Sequence, residues 1–218
     1  MNLITDKMKK TLAYPAILMG LVSLLVCTLL LVTNIFTAQP IADREREDLT
    51  KKMDQVLPRT SYDNHPLDKK YQHIFDGENL IFYRARIQNK VSAIILFTQS
   101  AGYSGDISML VAIKSNGQLG GVRVLSHTET PGLGDNIELA KSDWILGFSG
   151  LSLKNPNTKG WAVKKDGGQF DAFTGATITP RAVVKGVFET LQLFKANRDY
   201  FLELNNSTEE TKSTQGRS

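Results

Sequence analysis

Cysteine occurs once in the 218 residues, as Cys27, so no disulfide can form within the chain. Cys27 falls inside an apolar run, where it reads as a small packing residue. Histidine is nearly as scarce, and His127 has no partner at metal-ligand spacing, which argues against a metal site. No pair of carboxylates, no Ser-His-Asp order and no Cys-His cluster suggests hydrolysis. No G-x-G-x-x-G follows a strand pattern, which removes a Rossmann dinucleotide site, and no repeat of solenoid period is present. The net charge of +4 is scattered, without a Lys/Arg stripe interleaved with aromatics, and this argues against nucleic acid as a partner.

Charge is also missing between Lys10 and Asp43. Residues 13–36 are almost wholly apolar, and as a helix rising ~1.5 Å per residue they exceed the ~30 Å hydrocarbon core of a bilayer. A cleaved signal peptide is the rival reading, but its apolar region runs only ~7–15 residues. Phe36, three before a cut after Ala38, is also too large for a cleavage site. An uncleaved anchor is expected, whereas a secreted domain would begin near Gln39. Lys7, Lys9 and Lys10 precede the span and residues 37–42 carry no Lys or Arg, which places the N-terminus in the cytoplasm. Arg44, Arg46, Lys51 and Lys52 blunt the asymmetry, but long domains translocate with little regard to charge.

The chain therefore divides into a cytoplasmic N-terminus (1–12), a transmembrane helix (13–36), a stalk helix with a linker (43–78), one folded domain (79–204) and a tail (205–218). Leu49, Met53, Val56 and Leu57 give the stalk helical spacing, and Pro58 ends it. Residues 58–75 are polar and irregular and read as linker. Apolar runs at 80–87, 91–98, 107–114 and 119–125 read as strands, with Asn116-Gly117 as a hairpin turn. Short helical pieces are expected within 136–148, and a short strand over 161–164 before the Gly167-Gly168 turn. A final helix carries a buried stripe of Val183, Val187, Thr190, Leu191 and Phe194. The tail, rich in Ser, Thr, Glu and Lys, is expected to be disordered. The fold class is α+β, an antiparallel sheet covered by helices.

The most informative stretch is Asp171-Ala172-Phe173-Thr174-Gly175-Ala176-Thr177, just before that final helix. Thr179 reads as the N-cap, Pro180 as the first helical residue, and Ile178 with Val183 as a hydrophobic staple. Thr177 then sits where unpaired N–H groups and the positive helix end favour a phosphate.

D-x-x-T-G-A-T resembles the motif on which a flavin transferase esterifies FMN to the last Thr. Glu129-Thr130-Pro131-Gly132-Leu133-Gly134 resembles a second signature loop of the same family, and Gly102-Tyr103-Ser104-Gly105 is a weaker third match, in the same order along residues 80–194. The family is the FMN-binding domain shared by the G subunits of Rnf/Rsx electron transport complexes and the C subunits of sodium-translocating NADH:quinone oxidoreductases. The compact domain without a sizeable insertion favours the Rnf/Rsx type.

The resemblance implies a membrane-anchored electron carrier with covalent FMN on Thr177, its domain on the periplasmic side of a bacterial inner membrane. It implies the other proteins of such a complex as partners, and a transferase that moves FMN from FAD with Mg²⁺. Asp171 would be read by the transferase. Thr174, Gly175, Ala176, Glu129, Thr130, Leu133 and Gly134 would lie at the flavin, with Thr130 and Leu133 as one polar and one apolar contact to its ring. Thr174 stands where Ser is frequent in this motif and keeps the hydroxyl. Lys164 and Lys165 could balance phosphate charge but read as a solvated strand end. Trp144, Trp161 and Tyr103 read as core aromatics rather than flavin contacts. A flavin-free anchored assembly factor or ligand-binding module remains the alternative of another class.

Overall fold

The computed structural model describes residues 2–75 and 77–203, so the expected disordered tail lies outside the described residues. The chain forms two compact units, Met1–Leu49 and Thr50–Ser218. The first is made by helix α1 (Asn2–Val56), which continues through Pro15 and Pro40. From Ile17 to Phe36 its apolar side chains are exposed, and by length and composition it is able to cross a membrane. Within that stretch and just beyond it, Thr28, Thr33 and Thr37 turn their hydroxyls onto carbonyls four residues back, at 2.7 to 2.8 Å. Helix backbone thus satisfies groups that hydrocarbon could not. The expected stalk is the end of this same helix.

The second unit is an antiparallel meander of β1 (Tyr71–Phe75), β2 (Glu78–Ile87), β3 (Lys90–Ala101), β4 (Asp106–Lys114) and β5 (Leu119–Ser126), paired in chain order. The four runs of β-branched and aromatic residues form β2 to β5. Strand β1 corrects the linker reading of residues 58–75. Its Gln72, His73 and Ile74 face solvent, as edge-strand residues do, while Tyr71 stacks on Phe82 at 5.4 Å. The β4–β5 turn closes with Gly117 at φ +85°, and Asn116 Oδ1 accepts the Gln118 N–H.

One sheet face packs on α2 (Ile178–Ala196), where Val183, Val187, Thr190, Leu191 and Phe194 are all buried as their spacing demands. Each such aliphatic side chain contributes about 1.5–3 kcal/mol by leaving water. Gly186 sets the helix close to the sheet, because a Cβ there would meet Met109 Cε at 2.8 Å and Ser100 Cβ at 2.9 Å. Past α2, helix α3 (Arg198–Phe201) is locked by Arg84, whose guanidinium donates to the carbonyls of Phe201 and Tyr200 and pairs with Glu203 at 2.8 Å.

The opposite face receives the end of α1. Met53, Val56 and Leu57 are buried, and Gly120 and Gly121 admit them, since a Cβ on Gly120 would meet the Val56 carbonyl oxygen at 2.6 Å. Arg123 crosses beneath and donates to the Gln55 side chain at 2.9 Å, its pKa lowered by burial. Nearby, Tyr62 donates to Asp54 at 2.6 Å, and burial followed by that bond pushes its phenol up to about 12. A raised folded-state pKa stabilises the fold fully below about pH 10 and loses that contribution as pH climbs through the raised value. Tyr62→Phe should therefore remove a late step from the ultraviolet tyrosinate titration and flatten the alkaline loss of stability. An unchanged late step would refute this.

Between β5 and α2 the chain makes short 3₁₀ turns at Asp135–Ile137, Asp143–Phe148, Thr158–Gly160 and Lys164–Asp166. The first two fulfil the helical pieces expected there. The strand expected over 161–164 is absent among the described residues. Only a single bridge joins Val163 to Phe170, because the chain doubles back tightly, with the Phe170 N–H on Ala162 and the Lys164 N–H on Phe170.

Candidate functional site

Three segments far apart in sequence close around one open cavity of about 480 Å³: the β3–β4 turn at Tyr103, the stretch from Glu129 to Gly134 after β5, and Gly175 to Thr179 at the start of α2. A cavity of this size suits a small organic cofactor. Its rim is apolar, with Tyr103 70%, Ile178 46% and Leu133 43% exposed.

The floor is held by Glu129, a buried side chain without a cationic partner among the described residues. Its Oε1 accepts the N–H groups of Tyr103 at 2.9 Å and Ser104 at 3.0 Å, and its Oε2 accepts the buried Thr179 hydroxyl. One carboxylate thus ties the β3–β4 turn to the start of α2. Glycines clear its path: a Cβ on Gly102 would lie 2.4 Å from Oε1, and one on Gly134 would lie 2.9 Å from the Glu129 Cβ. The loop beyond folds on itself through Leu133 and Gly134 N–H groups on the Thr130 carbonyl. The Gly132 N–H holds the Asp135 carboxyl below its ordinary pKa. His127 supports the same loop, accepting the Glu129 N–H on Nδ1 at 3.1 Å while Nε2 lies 2.6 Å from Glu138. The backbone N–H assigns the proton to Nε2.

Thr177 stands at the cavity edge as the residue before α2, with φ −75°, ψ −26° and no capping bond from its side chain. Its Oγ1 accepts from Lys165 Nζ at 3.1 Å. The helix starts at Ile178, which corrects the expected start at Pro180. Thr179 is not the cap, because its hydroxyl is taken by Glu129, and Ile178 lines the cavity instead of stapling the helix. Pro180 fits inside the first turn, where its missing N–H would have had no acceptor.

Of the residues singled out from the sequence, Glu129, Thr130, Leu133, Gly134, Gly175, Ala176 and Thr177 line the cavity. Gly175 does so at φ +82°, a conformation that favours glycine. Thr174 is exposed and stands off the cavity wall. Asp171 lies outside, its carboxylate 2.6 Å from Lys164 and its carbonyl accepting the Trp144 indole N–H at 2.9 Å. Trp161 is core, as expected. Tyr103 is not: it is an exposed rim residue. Sequence reasoning also misses Ile178 and Thr179 as wall residues; Lys165 is exposed, as expected, but it sits in a 3₁₀ turn rather than at a strand end and its ammonium contacts Thr177.

Residues 102–192 match the model of the FMN-binding domain family. The G subunit of the ion-translocating oxidoreductase complex of Pseudomonas aeruginosa (strain UCBPP-PA14) is 46% identical over 201 residues, 89% of this chain and 94% of that one. The proteins of the same name from Stutzerimonas stutzeri and Cereibacter sphaeroides (strain ATCC 17023) are 47% and 46% identical over 87% and 84% of this chain, and over 83% and 84% of their own lengths. Among solved structures, a crystal structure of Shewanella oneidensis NqrC matches 61% of this chain and 67% of that chain at 23% identity, with a TM-score of 0.42.

Proposed function

The chain belongs to the G-subunit family of ion-translocating oxidoreductase complexes, and we propose that it is a membrane-anchored electron carrier with FMN esterified to Thr177. The observation that carries this reading is the Thr177 hydroxyl at the edge of the cavity, beside the first turn of α2 and the Lys165 ammonium. The residues present fit the group. Tyr103, Leu133 and Ile178 offer apolar surface to a flat ring, and the backbone N–H groups at the start of α2 with Lys165 offer positive charge to a phosphate. Bound flavin supplies the redox chemistry. The protein fixes its place and limits its exposure to water.

Attachment requires help from outside the chain, because among the described residues no base contacts Thr177. Thr177 Oγ forms the bond to the phosphorus on the flavin side of FAD, the bond from that phosphorus to the AMP half breaks, and AMP leaves with the electron pair. The hydroxyl proton passes to a base of the flavin transferase. To Asp171 we assign recognition by that transferase rather than flavin contact, a reading supported by its being exposed and outside the cavity. The other proteins of the membrane complex are the partners in electron transfer.

Intact mass after expression with and without a flavin transferase tests this reading. One FMN should be gained by condensation only with the transferase present. A chain that stays colourless and gains no mass in its presence would point to a flavin-free assembly or ligand-binding protein instead.

We place the domain on the periplasmic side, with α1 as the anchor and the N-terminus in the cytoplasm, because positive charge clusters before the apolar run. A reporter active only in the periplasm should work when fused after Leu204 and fail when fused ahead of Lys7. The reverse pattern would put the flavin in the cytoplasm and remove this placement.

A further inference from the structure

Resting on the covalent reading, we propose that Lys165 is a cofactor-binding residue whose ammonium holds the phosphodiester that joins FMN to Thr177. The case rests on how the turn Lys164–Asp166 is built. Its two outer residues are struts: Lys164 reaches Asp171 at 2.6 Å, and Asp166 takes Arg181 of α2 through two bonds of 2.5 and 2.7 Å. The turn is thereby tied to the attachment loop on one side and to the helix on the other. The middle residue, Lys165, is delivered between them to Thr177 Oγ1 at 3.1 Å.

The backbone under this turn has little freedom. Asp166 and Gly168 N–H groups both bond the Val163 carbonyl, and Gly167 turns the chain at φ +82°. Any side chain at Gly168 would run into Ala162, whose carbonyl oxygen would lie 1.9 Å from a Cβ. A solvated lysine needs no such frame. The paired acids also explain selectivity within the turn, since Lys164 has its carboxylate already while Lys165 forms no carboxylate salt bridge among the described residues. An ammonium in contact with the oxygen that becomes the ester is placed to meet the phosphate oxygens as well.

Phosphorus NMR of the fully flavinylated full chain, in a phosphorus-free detergent, separates the possibilities. Lys165→Met should move the phosphodiester resonance by more than its linewidth and slow flavinylation, followed by intact mass, about tenfold. Lys165→Arg should restore much of the rate. Lys185→Met removes the same charge from the exposed side of α2, where Lys185 faces Glu189 at 3.7 Å, and should change neither readout. Thermal unfolding should be the same in all three variants, as Lys165 and Lys185 are both exposed. An unmoved resonance in Lys165→Met overturns the proposal whatever the rate does, since a slower rate alone would place Lys165 in transferase recognition. An equal movement in Lys185→Met overturns it too, because bulk charge would then suffice. A wild-type chain that gains no mass would instead remove the covalent reading itself.

Discussion

Thr177→Ala is expected to abolish covalent flavin completely while leaving the domain folded. Thr177 is half-buried, makes no capping bond, and among the described residues its hydroxyl bonds the exposed Lys165, so truncation leaves no buried polar group without a partner. The cost in stability should stay within about 0.5 kcal/mol. The loss of function is total in principle because Ala has no oxygen to esterify, and Thr174 and Thr179 cannot substitute. Thr174 stands off the cavity wall, and Thr179 is buried on Glu129. Fluorescence of the denatured protein in a gel, together with intact mass, reads this directly. Flavin that survives denaturation in the Thr177→Ala variant would sink the assignment.

The parts of the fold that are legible in the sequence are those where burial imposes a period. Ile94 to Leu96 and Met109 to Ile113 are buried on both faces of the sheet, so they read as unbroken apolar runs, and α2 shows its stripe because only one side of it meets the sheet. Strand β1 is hidden because an edge strand with Gln72, His73 and Ile74 in solvent carries no such signal. The helix start differs from its expected place for a related reason. Thr179-Pro180 satisfies the local grammar of a cap, but an acceptor fifty positions away in sequence, Glu129, outcompetes it.

The site shows the same division. Thr177 is legible because the stretch that carries it, residues 171–177, is short and contiguous. The role of Glu129 is not, since its partners come from the turn at Tyr103 and from α2. The flanking Gly102 and Gly134 are the available hint, because close approach to a buried carboxylate requires residues without a Cβ. Tyr103 reads as core on its aromatic character alone, although its position between two glycines in a turn between strands is where an aromatic meets solvent or a ligand.

Glu129 carries the largest expected effect on stability. Glu129→Ala would strip the acceptor from the Tyr103 and Ser104 N–H groups and from the Thr179 hydroxyl, of which Thr179 is 1% exposed. Unmet buried donors and lost bonds to a carboxylate together cost about 2–4 kcal/mol, or roughly 5–15 °C in melting temperature for a domain of this size. Glu129→Gln keeps the shape and one oxygen for the two N–H groups, and its amide N–H donates where the carboxylate accepted, so the loss should be about 1 kcal/mol or less. Flavin loading should follow the same order, near normal in the Gln variant and severely reduced in the Ala variant, because the bracket sets the width of the cavity that Tyr103 and α2 enclose. Melting curves that coincide for Glu129→Ala and the wild type would show that the three segments are held by packing alone. A Gln variant with unchanged melting but a shifted flavin spectrum would mean that this side chain faces the cofactor itself, as the motif alone suggested, rather than the backbone that shapes its pocket.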